Sequence, residues 1–238
     1  MTSRLGESPS PRVTVGFSTG GQVEIEFHQS LHATRRQFPD LLDPDEIVVV
    51  GGPRLYIHRD SIVRTFLDTG NDWLLLVDDD MAWQPEALAL LAEAADREAA
   101  PIVGGLCFGT SRTAGALWPT LGQLDSEGGY CTQLNIPDDE LVEVEWTGCA
   151  FLLVHRDVLV SMAVAFGKTG RLLPWFEDGQ IGSEIVECDR VFCMRARALG
   201  YPIFVHTGVA IDHKKPAMHN LDLYRATARL QNESELIG

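Results

Sequence analysis

Two kinds of apolar pattern alternate along the first hundred residues of the chain. Short runs rich in Val, Ile and Leu predict buried strands at 12–17, 46–50, 72–77 and 101–106. Longer segments with apolar residues three or four apart predict helices at 23–36, 58–67 and 85–95. Strands that alternate with helices in this way predict a mostly parallel sheet with helices on both faces.

The second half of the chain has a less regular pattern. Residues 108–140 are rich in Gly, Thr and Pro and predict loops with short strands, and residues 141–154 predict a broken strand pair. The remaining predicted elements are a helix within 183–199 and short strands at 201–205 and 209–212. The predicted fold class is therefore α/β, with a Rossmann-like, mostly parallel central sheet and a smaller mixed region in the second half.

The length and the net charge of the chain limit the classes of function that we expect for it. The 238 residues suit one large α/β domain, and the net charge of −15 argues against nucleic acid or an anionic membrane as the main partner. No apolar run approaches the ~20 residues that cross a bilayer, so we expect no integral membrane segment. Residues 1–11 lack the apolar middle of a signal peptide and predict a disordered leader, whereas 217–238 predict a helical tail. We expect a cytoplasmic protein.

The five cysteines do not suggest a disulfide frame or a zinc site. Their number is odd, and the chain contains no CxxC pair. Three of them, Cys107, Cys149 and Cys193, lie in apolar stretches. Reduced and mostly buried thiols are therefore expected, as is usual in the cytosol.

The stretch WLLLVDDDM, residues 73–81, ends a predicted strand in three consecutive carboxylates. Like charges repel and resist burial, so folding alone gives no reason for them. Ligands of open α/β sheets bind beyond the carboxyl ends of the strands. Carboxylates there are suitable ligands for Mg2+ or Mn2+, which in turn hold a diphosphate. A solvated acidic turn before the next helix is the alternative interpretation.

Two stretches resemble glycosyltransferases with the GT-A fold, in particular family 2. WLLLVDDDMAWQPEAL resembles their aspartate (DxD) motif, which binds a sugar nucleotide through a divalent metal. SEIVECDRVFCMRARALGYPIFVHTGVAIDHKK resembles a later segment with an acidic pair, a helix, Gly-Tyr, a strand and a histidine. The resemblance implies one GT-A domain over 12–216, with a nucleotide-binding half at 12–106 and an acceptor or catalytic half at 107–216.

The resemblance also implies roles for particular residues. The metal, Mn2+ or Mg2+, would be held by Asp78, Asp80 and His213. The nucleotide-sugar donor would contact Ser18, Thr19, Gly20, Arg59, Asp78 and Asp79. The acceptor and the transferred sugar would meet Trp146, Thr147, Gly148 and Trp175. Lys214 and Lys215 could meet the diphosphate or form a solvated basic turn.

Asp189 is implied to be the general base, because it matches the second acid of the family's pair. The chain departs from the family at Cys188, where the first acid is expected, and Glu187 is displaced by one position. The implied reaction is transfer of a sugar from a nucleotide-diphosphate sugar to an acceptor hydroxyl, with inversion. The acceptor stays open between a protein, a glycan, a lipid-linked molecule and a small molecule.

Two other functions remain as alternatives. A nucleotidyltransferase acting on sugar phosphates also uses strand-end aspartates, but it would usually carry a basic Gly-rich loop after the first strand. The loop here, GFSTGGQV, contains neither Lys nor Arg. A non-catalytic module that binds sugar nucleotides or carbohydrate is the second alternative, and Cys188 in place of an acid favours it.

Overall fold

A computed structural model describes most of the chain. The described residues are 12–110, 117–124, 126, 129–167, 173–181, 184–214, 218–219, 221 and 224–225. The predicted leader at 1–11, Lys215 and most of the predicted tail at 217–238 lie outside them. Within the tail, Met218–His219 is a short strand, and residues 221, 224 and 225 are helical.

The described residues form five helices of ten residues or more and many short strands. The helices are α1 Ile25–Gln37, α2 Leu55–Leu67, α3 Pro85–Ala94, α4 Arg156–Gly167 and α5 Cys188–Ala198. The first nine strands are β1 Val13–Thr19, β2 Ile47–Val50, β3 Trp73–Val77, β4 Met81–Ala82, β5 Ile102–Leu106, β6 Phe108–Thr110, β7 Leu117–Pro119, β8 Leu121–Leu124 and β9 Tyr130–Thr132. The others are β10 Leu141–Val144, β11 Trp146–Thr147, β12 Phe151–His155, β13 Gly179–Ile181, β14 Glu184–Val186, β15 Ile203–Ala210, β16 Asp212–Lys214 and β17 Met218–His219.

A seven-stranded sheet with the order β10-β15-β5-β12-β3-β1-β2 forms the centre of the fold. Strands β2, β1, β3, β5 and β15 run in one direction, and β12 and β10 run in the other. Helices α2, α4 and α5 pack on one face with one apolar cluster, and α1 and α3 pack on the opposite face with the other. The predicted fold class is confirmed.

Strand β3 shows why a buried strand can be predicted from the sequence pattern. All five of its residues are buried, with Leu74 and Leu76 on the α2 face and Trp73, Leu75 and Val77 on the α1 face. A strand that is covered on both faces reads as a continuous apolar run. The first charged residue, Asp78, therefore marks the point where the strand leaves the core.

The strands and helices predicted in the first half are present, with ends shifted by a few residues. The burial predicted for the strand at 46–50 is wrong, because β2 lies at the edge of the sheet and its Val48 and Val50 are exposed. The helix predicted within 183–199 is confirmed as α5, and the residues before it, Glu184–Val186, pair with Gly179–Ile181 as a hairpin. One prediction in the second half is wrong. The two strands expected at 201–205 and 209–212 are one strand, β15, whose register against β5 shifts after His206.

Helix α4 was not predicted. It follows β12 without a turn residue between His155 and Arg156, so the chain carries no local signal for the end of the strand. Val158, Leu159 and Met162 bury its inner face against α2 and α5. The remaining short strands, β6–β9, β11, β13 and β14, form the small mixed region expected in the second half.

Candidate functional site

The acidic triplet lies at the carboxyl edge of the central sheet. The main-chain N–H of Asp78 donates to the carbonyl of Ala150 (3.1 Å), and the N–H of Met81 donates to the carbonyl of Asp78 (3.2 Å). These bonds turn the chain sharply between β3 and β4, so that the three consecutive side chains meet different neighbours. Each carboxylate has its own partners, which accounts for how three like charges coexist.

The first group of contacts, the arginine corner, consists of Arg59, Asp78 and Asp189. Arg59 extends from α2, and its Nη2 lies 3.0 Å from Oδ1 and 3.3 Å from Oδ2 of Asp78. Its Nη1 forms an ion pair with Oδ1 of Asp189 at the start of α5. The arginine side chain is 4% exposed, whereas the two carboxylates are about a quarter exposed, at 26% and 25%. One buried cation therefore joins two carboxylates that border the open edge.

Asp189 accepts two further hydrogen bonds. The main-chain N–H of Cys149 donates to its Oδ2 (2.9 Å), and the thiol of Cys188 donates to its Oδ1 (3.3 Å). Burial, with the negative charge of Asp189 as the next cause, raises the pKa of the Cys188 thiol to about 12. Cys188 is therefore a neutral donor at the position where the family has an acid.

The second group, the histidine corner, consists of Asp80 and His213. Strand β16 pairs with β4 and places His213 opposite Met81. Nδ1 of His213 lies 3.0 Å from the carbonyl of Phe108, so this nitrogen carries the hydrogen. In a neutral ring Nε2 then presents a lone pair to Oδ2 of Asp80, 3.2 Å away. Two acceptors this close repel each other unless a proton or a metal cation accompanies them.

This donor set fits a divalent metal. An imidazole nitrogen beside a carboxylate suits Mn2+, and a carbonyl that accepts from the other ring nitrogen is the usual way a metal-bound histidine is oriented. Across the described ranges, however, no three His, Cys, Asp or Glu side chains are gathered around one point.

Asp79 faces the end of β1. Burial is the main cause that raises the pKa of Asp79. A hydrogen bond from the Thr19 hydroxyl lowers this pKa, and the negative charges of Asp80 and Asp78 raise it further. Ser18 and Thr19, which the pattern placed in a loop, are the last residues of β1 and pair with Val49 and Val50 of β2. Gly20 follows them and is exposed. Of the three predicted donor contacts, Thr19 is therefore the one with a described interaction with the triplet.

Lys214 is held by carboxylates at the start of α1. Its Nζ lies 2.8 and 2.7 Å from the two oxygens of Glu26 and 3.0 Å from Glu24. Its main-chain N–H donates to the carbonyl of Asp80 (2.8 Å). In this structure Lys214 therefore links β16 to α1 across the same edge of the sheet.

The predicted acceptor residues lie in two different parts of the structure. Gly148 lies beside the arginine corner, because an added Cβ on it would stand 3.8 Å from Oδ2 of Asp189 and 3.0 Å from Oγ1 of Thr120. Thr147, before it, is buried, and its hydroxyl donates to the carbonyl of Thr120 (3.2 Å). Trp146 is buried next to them, under the guanidinium of Arg190, which lies 4.7 Å from the centre of its ring.

Trp175 lies elsewhere. It is 3% exposed, its Nε1 donates to the carbonyl of Leu159 (2.7 Å), and the guanidinium of Arg64 lies 5.2 Å from its ring. These contacts attach it to α4 and to the outer part of α2, so the structure does not bring it to the acidic edge. The neighbouring Phe176 is nearer, since its ring lies 5.9 Å from the guanidinium of Arg59.

Sequence analysis missed part of the site. The amide of Cys149 could not be found, because a main-chain donor leaves no mark on the sequence. Arg59 was found, but its two carboxylate partners lie 19 and 130 residues away and no local pattern predicts that pairing. The five cysteines are free thiols, and only Cys131 among them is exposed.

No protein-family model matches the chain, and no curated protein matches its sequence. Solved structures do share its fold. A197 from STIV superposes with a TM-score of 0.54 at 15% identity, over 86% of this chain and 86% of that one. GalNAc-T7, in a crystal structure with UDP, GalNAc and Mn2+, superposes with a TM-score of 0.54 at 10% identity.

The GalNAc-T7 superposition covers 94% of this chain, which spans about half (48%) of the GalNAc-T7 chain. The chain has a GT-A-type fold. At such identities, the fold is the property it shares with these two proteins. None of the helices in the described ranges is both long and apolar enough to cross a membrane.

Proposed function

We propose that the protein is a metal-dependent glycosyltransferase that moves a sugar from a nucleotide-diphosphate sugar to an acceptor hydroxyl, with inversion. The observation that carries the proposal is the meeting of Asp78–Asp80, Asp189 and His213 at one edge of the sheet. These residues come from three distant segments of the chain. The fold that brings them together is shared with GalNAc-T7, which was crystallised with UDP, GalNAc and Mn2+.

Asp80 and His213 would hold Mn2+ or Mg2+ in this proposal, with Asp78 nearby. The bound metal would supply positive charge for the diphosphate, which otherwise meets a protein of net charge −15. Fewer than three protein ligands are gathered among the described residues, so diphosphate oxygens and water would complete the coordination. Metal and donor are therefore expected to bind together.

The donor's nucleoside would lie along the end of β1. Ser18, Thr19 and Gly20 border the acidic triplet there, and the Thr19 hydroxyl interacts with Asp79. No Lys or Arg lies in the stretch from Gly16 to Val23, which supports sugar transfer over transfer of a nucleotidyl group. A nucleotidyltransferase would need a cation at that loop for the leaving pyrophosphate.

Asp189 would act as the general base from the acceptor side. A carboxylate oxygen has two acceptor positions, so Oδ2 keeps one for a hydroxyl after it accepts from the Cys149 amide. Arg59 and that amide fix its orientation, which a base needs in order to meet the proton at ~3 Å. Gly148, beside this oxygen, would border the acceptor.

The test is a calorimetric titration of nucleoside diphosphates and sugar nucleotides into the protein with Mn2+, Mg2+ or a chelator. We expect one nucleotide to bind only with metal, and Asp80→Asn to weaken it at least tenfold. Asp45→Asn is the matched control, because it removes the same charge at an exposed position away from the edge. Absence of nucleotide binding with either metal would overturn the proposal.

A second measurement separates an enzyme from a binding module. Slow hydrolysis of the bound donor by water requires no knowledge of the acceptor. We expect Asp189→Asn to retain donor affinity within about threefold and to lose at least 100-fold in hydrolysis rate, within the range of general-base contributions. Equal rates in both proteins would favour the non-catalytic module.

A further inference from the structure

We infer that Arg59 is a positioning residue that holds Asp78 and Asp189 in fixed relation, and that it does not bind the nucleotide directly. The contact itself is independent of the enzyme's activity, whereas its effect on catalysis rests on the proposed function. The sequence resemblance assigned Arg59 to the donor. The contacts described above assign it a different role.

The guanidinium of Arg59 is buried among its partners. The Arg59 side chain is 4% exposed, and its two terminal nitrogens are directed to Asp78 and Asp189. The ring of Phe176 lies 5.9 Å from its guanidinium carbon, and the sulfur of Cys188 lies 3.7 Å from Nη1. A phosphate could reach this group only by displacing a carboxylate from the buried guanidinium, and breaking an ion pair with a buried partner is costly.

The charges at this corner also favour a positioning role. Asp78 and Asp189 reach the same place from the end of β3 and the first turn of α5, and they would repel each other without a cation between them. Burial lowers the pKa of Arg59, but the attraction of Asp189 and Asp78 outweighs it and leaves the pKa well above its ordinary value. The guanidinium is therefore permanently charged, and its planar fork serves two carboxylates at once.

A positioning role for Arg59 also explains Cys188. Its thiol lies at the position of the family's missing acid, is 7% exposed, and donates to Asp189. A carboxylate at this position would be a second partner for the same guanidinium and would compete with Asp189. A neutral thiol avoids that competition. With Cys188 in place of the family's acid, Asp189 has no neighbouring carboxylate at position 188 that would compete for Arg59.

The test compares Arg59→Lys with Arg156→Lys. Both replacements keep the positive charge and remove the planar fork, and Arg156 uses its fork only for main-chain carbonyls and Thr69 in a different part of the protein. For Arg59→Lys we expect the donor hydrolysis rate to fall at least 100-fold, with the Kd of the metal–nucleotide complex changed less than threefold. Arg156→Lys should change neither quantity more than twofold.

A double-mutant cycle on the nucleotide-free protein tests the contact without any activity. Arg59→Lys and Asp189→Asn, alone and combined, should show coupling of more than tenfold in the unfolding equilibrium constant. Should Arg59→Lys fail to fold, Cys188→Asp and Cys188→Ser provide the test. The aspartate should reduce hydrolysis at least tenfold, and the serine, which keeps a neutral donor, should reduce it less than threefold.

The outcomes separate the two proposals. If the natural protein binds no nucleotide, the proposed function fails, and the double-mutant cycle still decides the role of the contact. Coupling below twofold, or equal hydrolysis by the two Cys188 variants, overturns the positioning role. A Kd that rises tenfold in Arg59→Lys while the saturated rate is unchanged would instead make Arg59 a ligand of the donor.

Discussion

The two ends of β3 each carry a guanidinium, and the two are used differently. At the amino end, Arg156 donates to the carbonyls of Phe66, Leu67, Thr69 and Asn71 at distances of 2.7–3.1 Å. At the carboxyl end, Arg59 pairs with two carboxylates. The first arginine closes a turn by satisfying neutral dipoles, whereas the second holds charged groups together at an open edge.

The difference shows where a ligand can act. The carbonyls that accept hydrogen bonds from Arg156 are neutral groups. Near them, the rings of Trp73 and His155 pack against each other, with their centres 4.9 Å apart. Asp78 and Asp189 keep about a quarter of their side-chain surface after pairing with Arg59. The carboxyl end therefore combines a buried, fixed cation with carboxylates that stay partly accessible, and binding and catalysis require both fixed geometry and accessible charge.

Removing the cation at the carboxyl end should have the largest effect on stability. Arg59→Met leaves Asp78 and Asp189 close together without a counter-charge, and we expect a loss of about 3 kcal/mol. For a chain of this size that corresponds to a Tm lower by about 6–12 °C. Thermal and urea denaturation measure it, and a loss smaller than that of Arg156→Met would contradict the comparison.

The amino end should be affected less. Arg156→Met removes several hydrogen bonds, but a neutral carbonyl that loses its donor costs less than an unpaired carboxylate, and water can replace the donor near the surface. We expect a loss of about 2 kcal/mol. Affinity for the metal–nucleotide complex, measured by calorimetry, should stay unchanged. If that affinity fell as well, the two ends of β3 would not be independent.

The histidine corner should affect ligands more than stability. His213→Gln replaces the imidazole facing Asp80, and we expect affinity for the Mn2+–nucleotide complex to fall at least tenfold, or about 1.4 kcal/mol. The free energy of unfolding without metal should change by less than about 1 kcal/mol. His32→Gln, at an exposed position on α1, is the control. A large stability loss with unchanged affinity would make His213 a structural residue.

The smallest effect concerns pH at the amino end. Burial is the main cause that lowers the pKa of His155. The negative charges of Asp157 and Asp72 raise this pKa, the positive charges of Arg97 and Arg156 lower it, and the net change is downward. Its Nδ1 accepts the N–H of Asp157 (3.2 Å), a bond that requires the neutral ring. As the pH falls, His155 is protonated in the unfolded chain before it is protonated in the folded protein. The contribution of neutral His155 to stability is therefore complete above pH 6.5 and is lost as the pH falls below that value.

Urea midpoints at pH 7.5 and 5.5 test this for the natural protein and for His155→Gln. The variant should lose less stability between the two pH values than the natural protein does. An identical loss in both proteins would assign the pH dependence to other groups. His32→Gln again serves as the control, because an exposed histidine has no reason to alter the slope.

The first half of the fold was easier to predict than the second for a physical reason. Strands β1, β3 and β5 there are almost entirely buried and are separated by amphipathic helices, so local patterns and tertiary burial agree, whereas the apolar edge strand β2 leaves Val48 and Val50 exposed. In the second half, β12 passes directly into α4, and Glu184–Val186 pairs with a neighbouring segment instead of starting α5. Pairing between short segments depends on what lies beside them, and residue periodicity does not record it.

The sequence by itself determined the fold class, the buried strand β3 and the acidic triplet that ends it, because hydropathy and charge are properties of each residue type. Only the tertiary structure decided how the triplet is used. It directs Asp78 to Arg59, Asp79 to Thr19 and Asp80 to His213, and it turns the Cys149 amide toward Asp189. Those partners come from separate elements, and a contact between distant elements exists only once the sheet has brought them to one edge.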